Sequence, residues 1–155
     1  MNSDFIKIIA NNKKARHNYS IEEEYEAGLV LVGSEVKSIR DGKISFKDSY
    51  ADIQKDEIYL RQLHISSYQY AYNNNHEPLR TRKLLLHSQQ IKKLIGKIKE
   101  RGYSLVPLQI YLKNNKIKIK LGLGKGKKLY DKRQSIKQKD IKRDLDREYK
   151  SKQNY

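Results

Sequence analysis

The chain has 155 residues, enough for one ordinary domain and a tail, and carries 34 Lys and Arg against 18 Asp and Glu, a net charge of +16. An excess of that size points to a polyanionic partner, either nucleic acid or an anionic membrane surface. With no cysteine, a disulfide scaffold, a thiolate zinc site and a cysteine nucleophile are excluded, and hydrophobic residues at 37 % leave only a small core.

The first ten residues hold one short apolar patch, 5–10, broken by Lys7, without the basic start and long apolar run of a secretory signal. Nowhere does the chain approach the roughly 20 apolar residues of a spanning helix, so the expected compartment is the cytoplasm. Tyr19, Ile21, Glu23 and Tyr25 alternate with Ser20, Glu22 and Glu24 at the period of a strand, and 27–32 is a continuous apolar run short enough for a buried strand. Gly33-Ser34 allows a turn into 35–40, and Asp41-Gly42 is a second turn signal. Residues 49–54 and 57–64 read as strands around a two-residue turn at Lys55-Asp56, followed by a long loop between His64 and Lys83, rich in Tyr, Asn and Arg. Ile91, Leu94, Ile95 and Ile98 stand at helical spacing over 88–101; Ser88 can cap the start and Gly102 can end it.

A hairpin follows, with arms 105–113 and 116–123 around Asn114-Asn115, since Asn tolerates positive φ. Ile117, Ile119, Leu121 and Leu123 form its core face, Lys116, Lys118 and Lys120 its basic face, and Pro107 favours an edge or a bulge. From Lys125 onward there are 12 basic and 5 acidic residues, leaving +9 on the body. So little apolar surface cannot offset ordering entropy, and 125–155 reads as a tail, disordered or loosely helical in isolation. Six or so short strands and one good helix over 1–124 suggest a closed or nearly closed β-barrel of the OB type.

Sites for chemistry are scarce. His17, His64, His76 and His87 stand in no zinc spacing, the 122–126 glycines fit neither a dinucleotide nor a Walker loop, and no G-x-S-x-G occurs. His17 and His64 with a lysine, or His17 with lysine and glutamate partners, could cleave RNA by acid–base chemistry, though any basic protein with a few histidines offers as much. Glu22, Glu23, Glu24 and Glu26 read first as a solvated strand face or as partners of Lys13, Lys14 and Arg16. The sharper alternative is a carboxylate that orients basic residues at a binding surface or accepts a hydrogen bond from RNA. Basic residues gather in Lys13-Lys14-Ala-Arg16-His17, in Arg80-Thr-Arg82-Lys83, and in Lys125-Gly-Lys127-Lys128 running on to Lys132-Arg133. Tyr19, Tyr68, Tyr70, Tyr72 and Tyr130 lie among or near them. Charge for phosphates and rings for unstacked bases suit single-stranded or loop RNA better than a membrane, which calls for a bulky apolar helix face.

Several blocks, in order along nearly the whole chain, resemble the small protein B (SsrA-binding protein) family of bacterial trans-translation. They are Asn12-Lys-Lys-Ala-Arg-His17, Tyr25-Glu-Ala-Gly28, Gly33-Ser-Glu-Val-Lys-Ser-Ile-Arg40, Lys47-Asp-Ser-Tyr-Ala51, Pro78-Leu-Arg-Thr-Arg-Lys-Leu-Leu-Leu86 and Gly124-Lys-Gly-Lys-Lys-Leu-Tyr-Asp-Lys-Arg133. The resemblance implies a mainly β, OB-like antiparallel barrel with two or three accessory helices and a basic tail. It also implies binding to the tRNA-like domain of tmRNA, delivery of alanylated tmRNA to stalled ribosomes, and elongation factor Tu as a further partner. No cofactor, metal or catalysis is implied. The positions at Asn12, Glu26 and Leu85 would serve tmRNA binding, together with Lys13, Lys14, Arg16, His17, Lys37, Lys125, Lys127 and Lys128. Tyr130, Asp131, Lys132 and Arg133 would act in the ribosome. So would the tail beyond them, with Ile141 and Leu145 on one helical face and the chain running into the empty mRNA channel. Ser67 and Glu77 stand where Pro and Asp are usual, and Gly124 where Ala is usual, which would loosen the joint to the tail.

Overall fold

The computed structural model describes residues 4–153; the outermost parts of the N-terminal segment and of the tail, 1–3 and 154–155, lie outside the described residues. Nine strands and four helices follow in the order β1 (Ile6–Asn11), α1 (Lys13–Asn18), β2 (Tyr19–Leu29), α2 (Gly33–Arg40), β3 (Ile44–Ser45), β4 (Tyr50–Gln54), β5 (Glu57–Arg61), β6 (His64–Ile65), β7 (Arg82–Leu85), α3 (Ser88–Arg101), β8 (Ser104–Lys113), β9 (Lys116–Gly126) and α4 (Leu129–Gln153). The protein is mainly β. Its large sheet runs β1-β8-β4-β5-β7-β2-β9, and β9 pairs back onto β8, so six strands are linked in a ring. The narrowest link is β4 to β8, a single pair at Ala51 and Leu105. β3 and β6 form a separate two-stranded ribbon.

The hairpin has the register its alternation predicts. Ile119, Leu121 and Leu123 are buried, Ile117 packs against the core from a partly buried position, and Lys116 is exposed. Lys118 and Lys120 are half-buried on the outer face. Asn114 and Asn115 close the turn at φ 49° and 66°. Asn115→Val is expected to cost about 1–2 kcal/mol, the penalty of a left-handed residue with a crowding Cβ, seen as a lower unfolding midpoint in urea. Pro107 sits at a register shift in β8, the bulge its missing N–H favours. α3 ends at Gly102 with φ 67°, as its sequence predicts, although the capping position is His87, one residue before Ser88.

Four expectations need correction. Residues 33–40 form one helix, α2, with no turn at Gly33-Ser34: its inward face is Ser34, Glu35, Ser38 and Ile39, so helical burial occurs without apolar periodicity. The apolar run 27–32 stays in the sheet only to Leu29, and Val30 and Val32 are exposed. The segment 57–64 breaks at Gln62, whose φ of 61° ends β5 before the ribbon strand β6. The body also extends past residue 124. Gly124, Lys125 and Gly126 pair with Ile21, Ser20 and Tyr19, so Gly124 is buried inside β9 and the joint to the tail lies beyond Gly126. A Cβ at Gly124 would run into the Ser20 carbonyl, which makes glycine a close-packing residue here and not a loosened joint.

The core is one apolar cluster shared by the ring strands, α2 and the β3–β6 ribbon, built on Ile39, Ile58, Leu60, Leu63, Ile65 and Leu84 together with the hairpin residues. A smaller cluster, Ala15 with Val106 and Leu108, fixes α1 to β8. Deep beside the main core lies an ionic knot. Glu35 and Arg82 both have 0 % exposure, and the Arg82 Nε donates to Glu35. Arg80 donates to the same carboxylate, and the Val32 N–H reaches it at 3.0 Å. The remaining Arg82 nitrogens donate to the carbonyls of Leu63 and, at 3.2 Å, Pro78. Burial pushes the Glu35 carboxyl up, but hydrogen bonds from Arg80, the Val32 N–H and Arg82 outweigh it and leave the group below the usual carboxylate range.

Candidate nucleic-acid interface

Along the outer face of β2 the side chains of Glu24 and Glu26 and the bare backbone of Gly28 share one side of the strand. Gly28 lies opposite Leu85 on β7 and Lys118 on β9, and Glu26 lies opposite Lys120. Leu85 is 52 % exposed beside the Gly28 backbone, where a Cβ would already touch it at 3.4 Å. The Tyr111 hydroxyl donates to Glu26, and the Lys113 ammonium approaches at 3.4 Å. These contacts, the Tyr111 hydrogen bond first, hold the Glu26 carboxyl below its usual range, while burial and Glu26 together push the Tyr111 hydroxyl up. Lys120 stands 3.7 Å from Glu24, and Glu24 accepts from Arg16 on α1 at 2.7 Å. A continuous strip thus runs from Leu85 through Lys118, Glu26 and Lys120 to Arg16.

The other two glutamates also hold neighbouring side chains in place, Glu22 on this outer face and Glu23 on the opposite, Tyr25 side of the strand. Glu23 accepts from Lys97 of α3 and from Tyr25, and Tyr103 donates to Glu22 at 2.6 Å. Beside Glu23, burial and the carboxylate push the Tyr25 hydroxyl up to about 12. Of the basic partners expected for the cluster, Arg16 has one in Glu24; the others come from α3, β8 and β9, distant in sequence.

Asn12 has a structural role. Its side chain donates to the Pro107 carbonyl at 2.8 Å and accepts from the Ala15 N–H, while its own N–H donates to Leu108. It therefore caps α1 and ties it to the bulge of β8. Lys13, Lys14 and Arg16 are exposed on that short helix and His17 is half-buried. A groove of about 1170 Å³ opens between α1 and the segment 44–53, with Lys13 and Lys14 on one wall and Lys47 and Tyr50 on the other.

A second surface surrounds the long loop. Asn75 closes it by two hydrogen bonds to the Tyr68 backbone, at 2.9 and 3.1 Å. His76 is buried between the Ser34 hydroxyl and the Ile65 carbonyl, each at 2.8 Å. Held at both ends, the loop presents Tyr70 and Tyr72 at 64 % and 88 % exposure, and the Lys37 ammonium lies over the Tyr68 ring at 5.3 Å. Sequence reading found these tyrosines but had no means of finding the anchor, since a lone histidine carries no periodic signal.

At the other end, Lys125 lies over Tyr103 at 4.9 Å, and the Lys127 side chain donates to Ser135 of α4 at 3.1 Å. Lys128, Tyr130, Asp131 and Arg133 are exposed and Lys132 half-buried, and α4 carries Ile141 and Leu145 at 52 % and 60 % exposure. The expected binding residues are therefore not one patch: Glu26, Leu85 and Arg16 share the strip, Lys37 belongs to the loop surface, and Lys127 faces α4. Among the described residues no group of three or more His, Asp or Glu could hold a metal ion, and no helix is long and apolar enough to cross a membrane.

A ring-like β sheet with a basic helix, organised cations on its outer face and a long basic helix at one end has the make of a nucleic-acid-binding protein. The chain belongs to the SmpB protein family, whose family model matches residues 9–151. Its relatives include the SsrA-binding protein of Bacillus pumilus, 57 % identical over 147 residues that cover 95 % of this chain and 94 % of that protein. Another is the SsrA-binding protein of Halothermothrix orenii, 56 % identical over the full length of both chains. Among solved structures, one described as "tmRNA-SmpB: a journey to the center of the bacterial ribosome" matches with a TM-score of 0.65 at 45 % identity, covering 77 % of this chain and 85 % of that one.

Proposed function

We propose that this protein binds the tRNA-like domain of tmRNA and delivers alanylated tmRNA to ribosomes stalled without a stop codon, where its C-terminal tail occupies the empty mRNA channel. The observation that carries this reading is identity of 56–57 % to SsrA-binding proteins over 95 % or more of the chain. The ring of six strands is read as an OB-like closed barrel that supplies the tmRNA-binding body, with elongation factor Tu as partner at the aminoacyl end and the cytoplasm as compartment. Within the body the strip from Leu85 to Arg16 is the tmRNA surface. Leu85 offers an apolar contact, Lys118, Lys120 and Arg16 face phosphates, and Glu26 sets the positions of Tyr111 and Lys113. The protein acts by binding, and His17 serves as a contact and not as a general base.

Glu26→Ala and Leu85→Asp are each expected to weaken binding to the tRNA-like domain at least tenfold, about 1.4 kcal/mol, with an unchanged circular dichroism spectrum. Glu26→Gln, which keeps an acceptor for Tyr111, should lose less than Glu26→Ala if orientation is the role of Glu26. Titrations with bulk tRNA as competitor test the reading itself. Equal affinity for both RNAs makes the chain a general RNA-binding module, and cleavage of the RNA on incubation makes it a nuclease.

A further inference from the structure

α4 lies beside α1, and almost nothing apolar holds it there. None of its residues is buried, and neither apolar cluster includes one of them. Between the two helices is a cleft of about 390 Å³ lined by Arg16 and His17 of α1, by Lys127, and by Lys139 and Lys142 of α4, with Ser135 and Gln138 completing the wall. The lining contains four full cations and no carboxylate; the one acid paired with Arg16, Glu24, is not part of it. The Lys127–Ser135 hydrogen bond and the Lys127 N–H donated to Asn18 at 2.8 Å fix the root of α4 next to α1 without offering a counter-charge. Bringing Lys139 and Lys142 up to Arg16 and Lys127 sets like charges against each other in a partly desolvated space, where Coulomb repulsion is strengthened.

We infer that this cleft is a phosphodiester site that latches the tail helix onto the body: RNA backbone phosphates entering between α1 and α4 supply the missing negative charge, so that RNA on the body and docking of α4 are thermodynamically coupled. The inference rests on the RNA-binding reading above. It deepens that reading by making the position of the tail a consequence of RNA occupancy. By linkage, whatever the RNA does for docking, docking does for RNA. The gain from two added phosphate contacts is offset by the entropy of fixing the tail, so the coupling shows in tail position and salt dependence more than in affinity.

The chain has no cysteine, so Lys55→Cys and Ser151→Cys place the only two thiols, one on the exposed β4–β5 turn and one on the last turn of α4. Donor and acceptor dyes there report the distance from tail to body in the full chain, while a third fluorophore on the tRNA-like-domain RNA reports binding by anisotropy. Without RNA the distance distribution is expected to be broad; with RNA it collapses to one narrow population. Lys139→Glu together with Lys142→Glu should reverse the pattern. That tail docks without RNA, through Arg16 and Lys127, and RNA no longer promotes docking. The same pair of substitutions should lower the slope of log affinity against log salt by about 1.4–1.8, the share of two phosphate contacts. Inorganic phosphate at millimolar concentration separates sources: collapse with RNA alone supports a site for RNA backbone, and equal collapse with phosphate overturns that assignment in favour of a general anion site. RNA that binds while the distance distribution stays unchanged overturns the latch and leaves the functional reading intact. No binding of the RNA overturns both.

Discussion

Glu35→Ala is expected to cost about 3–5 kcal/mol of folding stability, a large share of the roughly 5–15 kcal/mol that holds a domain together. The loss comes from what remains. Arg82 has 0 % exposure, and burial already pulls its guanidinium below the usual value against the opposing effect of Glu35. Without the carboxylate it keeps two carbonyl partners and no counter-charge. Urea unfolding measures the change. The partner experiment is Glu35→Leu with Arg82→Met, which removes both charges. That pair should recover most of the loss, because an apolar pair of similar volume avoids the desolvation cost. A double variant no better than Glu35→Ala would place the energy in the shape of the site and not in its charge. The pH dependence has a definite sign. The Glu35 carboxyl titrates below the ordinary glutamate range in the fold, so its contribution is complete above that range and is lost as pH falls through the lowered value. The knot also carries the loop surface: Arg80 and Arg82 arrive from one side, and Ser34, next to Glu35, holds His76 on the other. Weakening it should therefore raise hydrogen exchange of the 66–81 backbone before that of the hairpin.

What the sequence made legible follows from how each element earns its burial. The hairpin was legible as far as Leu123, because Ile117, Ile119, Leu121 and Leu123 alternate against lysines and Asn114-Asn115 marks the turn, while the last residues of β9, among glycines and a lysine, carry no such alternation. α3 was legible because four aliphatic residues keep the helical period and Gly102 ends it. α2 was not, because the residues it buries are Ser34, Glu35 and Ser38, whose burial depends on Arg80 and Arg82 more than forty residues away. α1 has one buried residue, Ala15, and β1 keeps Ile6 and Ile8 exposed on an edge, so neither has a periodic signal. Of the site, the basic clusters and tyrosines could be named from composition. Their grouping could not: Glu26 finds Tyr111 and Lys113 only through the β2–β9–β8 register, and Leu85 meets Gly28 only through β7.

Truncation after Tyr130 is expected to leave affinity for free tmRNA within about threefold and to abolish tagging of nascent chains on messages without a stop codon. The body keeps the strip from Leu85 to Arg16, and α4 contributes no buried residue. The lost contacts reach RNA through two lysines of the cleft, and their gain is offset by the ordering of 25 residues of helix. On the stalled ribosome the balance differs. An isolated helix of this composition is marginal in water, though Asp131 in its first turn and Lys150 and Lys152 in its last suit the helix dipole. Ile141, Leu145 and Tyr149 recur every four residues and so form one exposed apolar face among cations. Confinement in a channel walled by RNA gives those cations phosphate partners and removes much of the freedom the free tail would lose on ordering. Tagging measured in a purified translation system decides the matter. Tagging by the truncated protein would refute the channel role, and outright loss of tmRNA binding would move the tail into the primary RNA site. Intact binding without tagging divides the protein as proposed, with recognition in the sheet and placement on the ribosome in the helix beyond it.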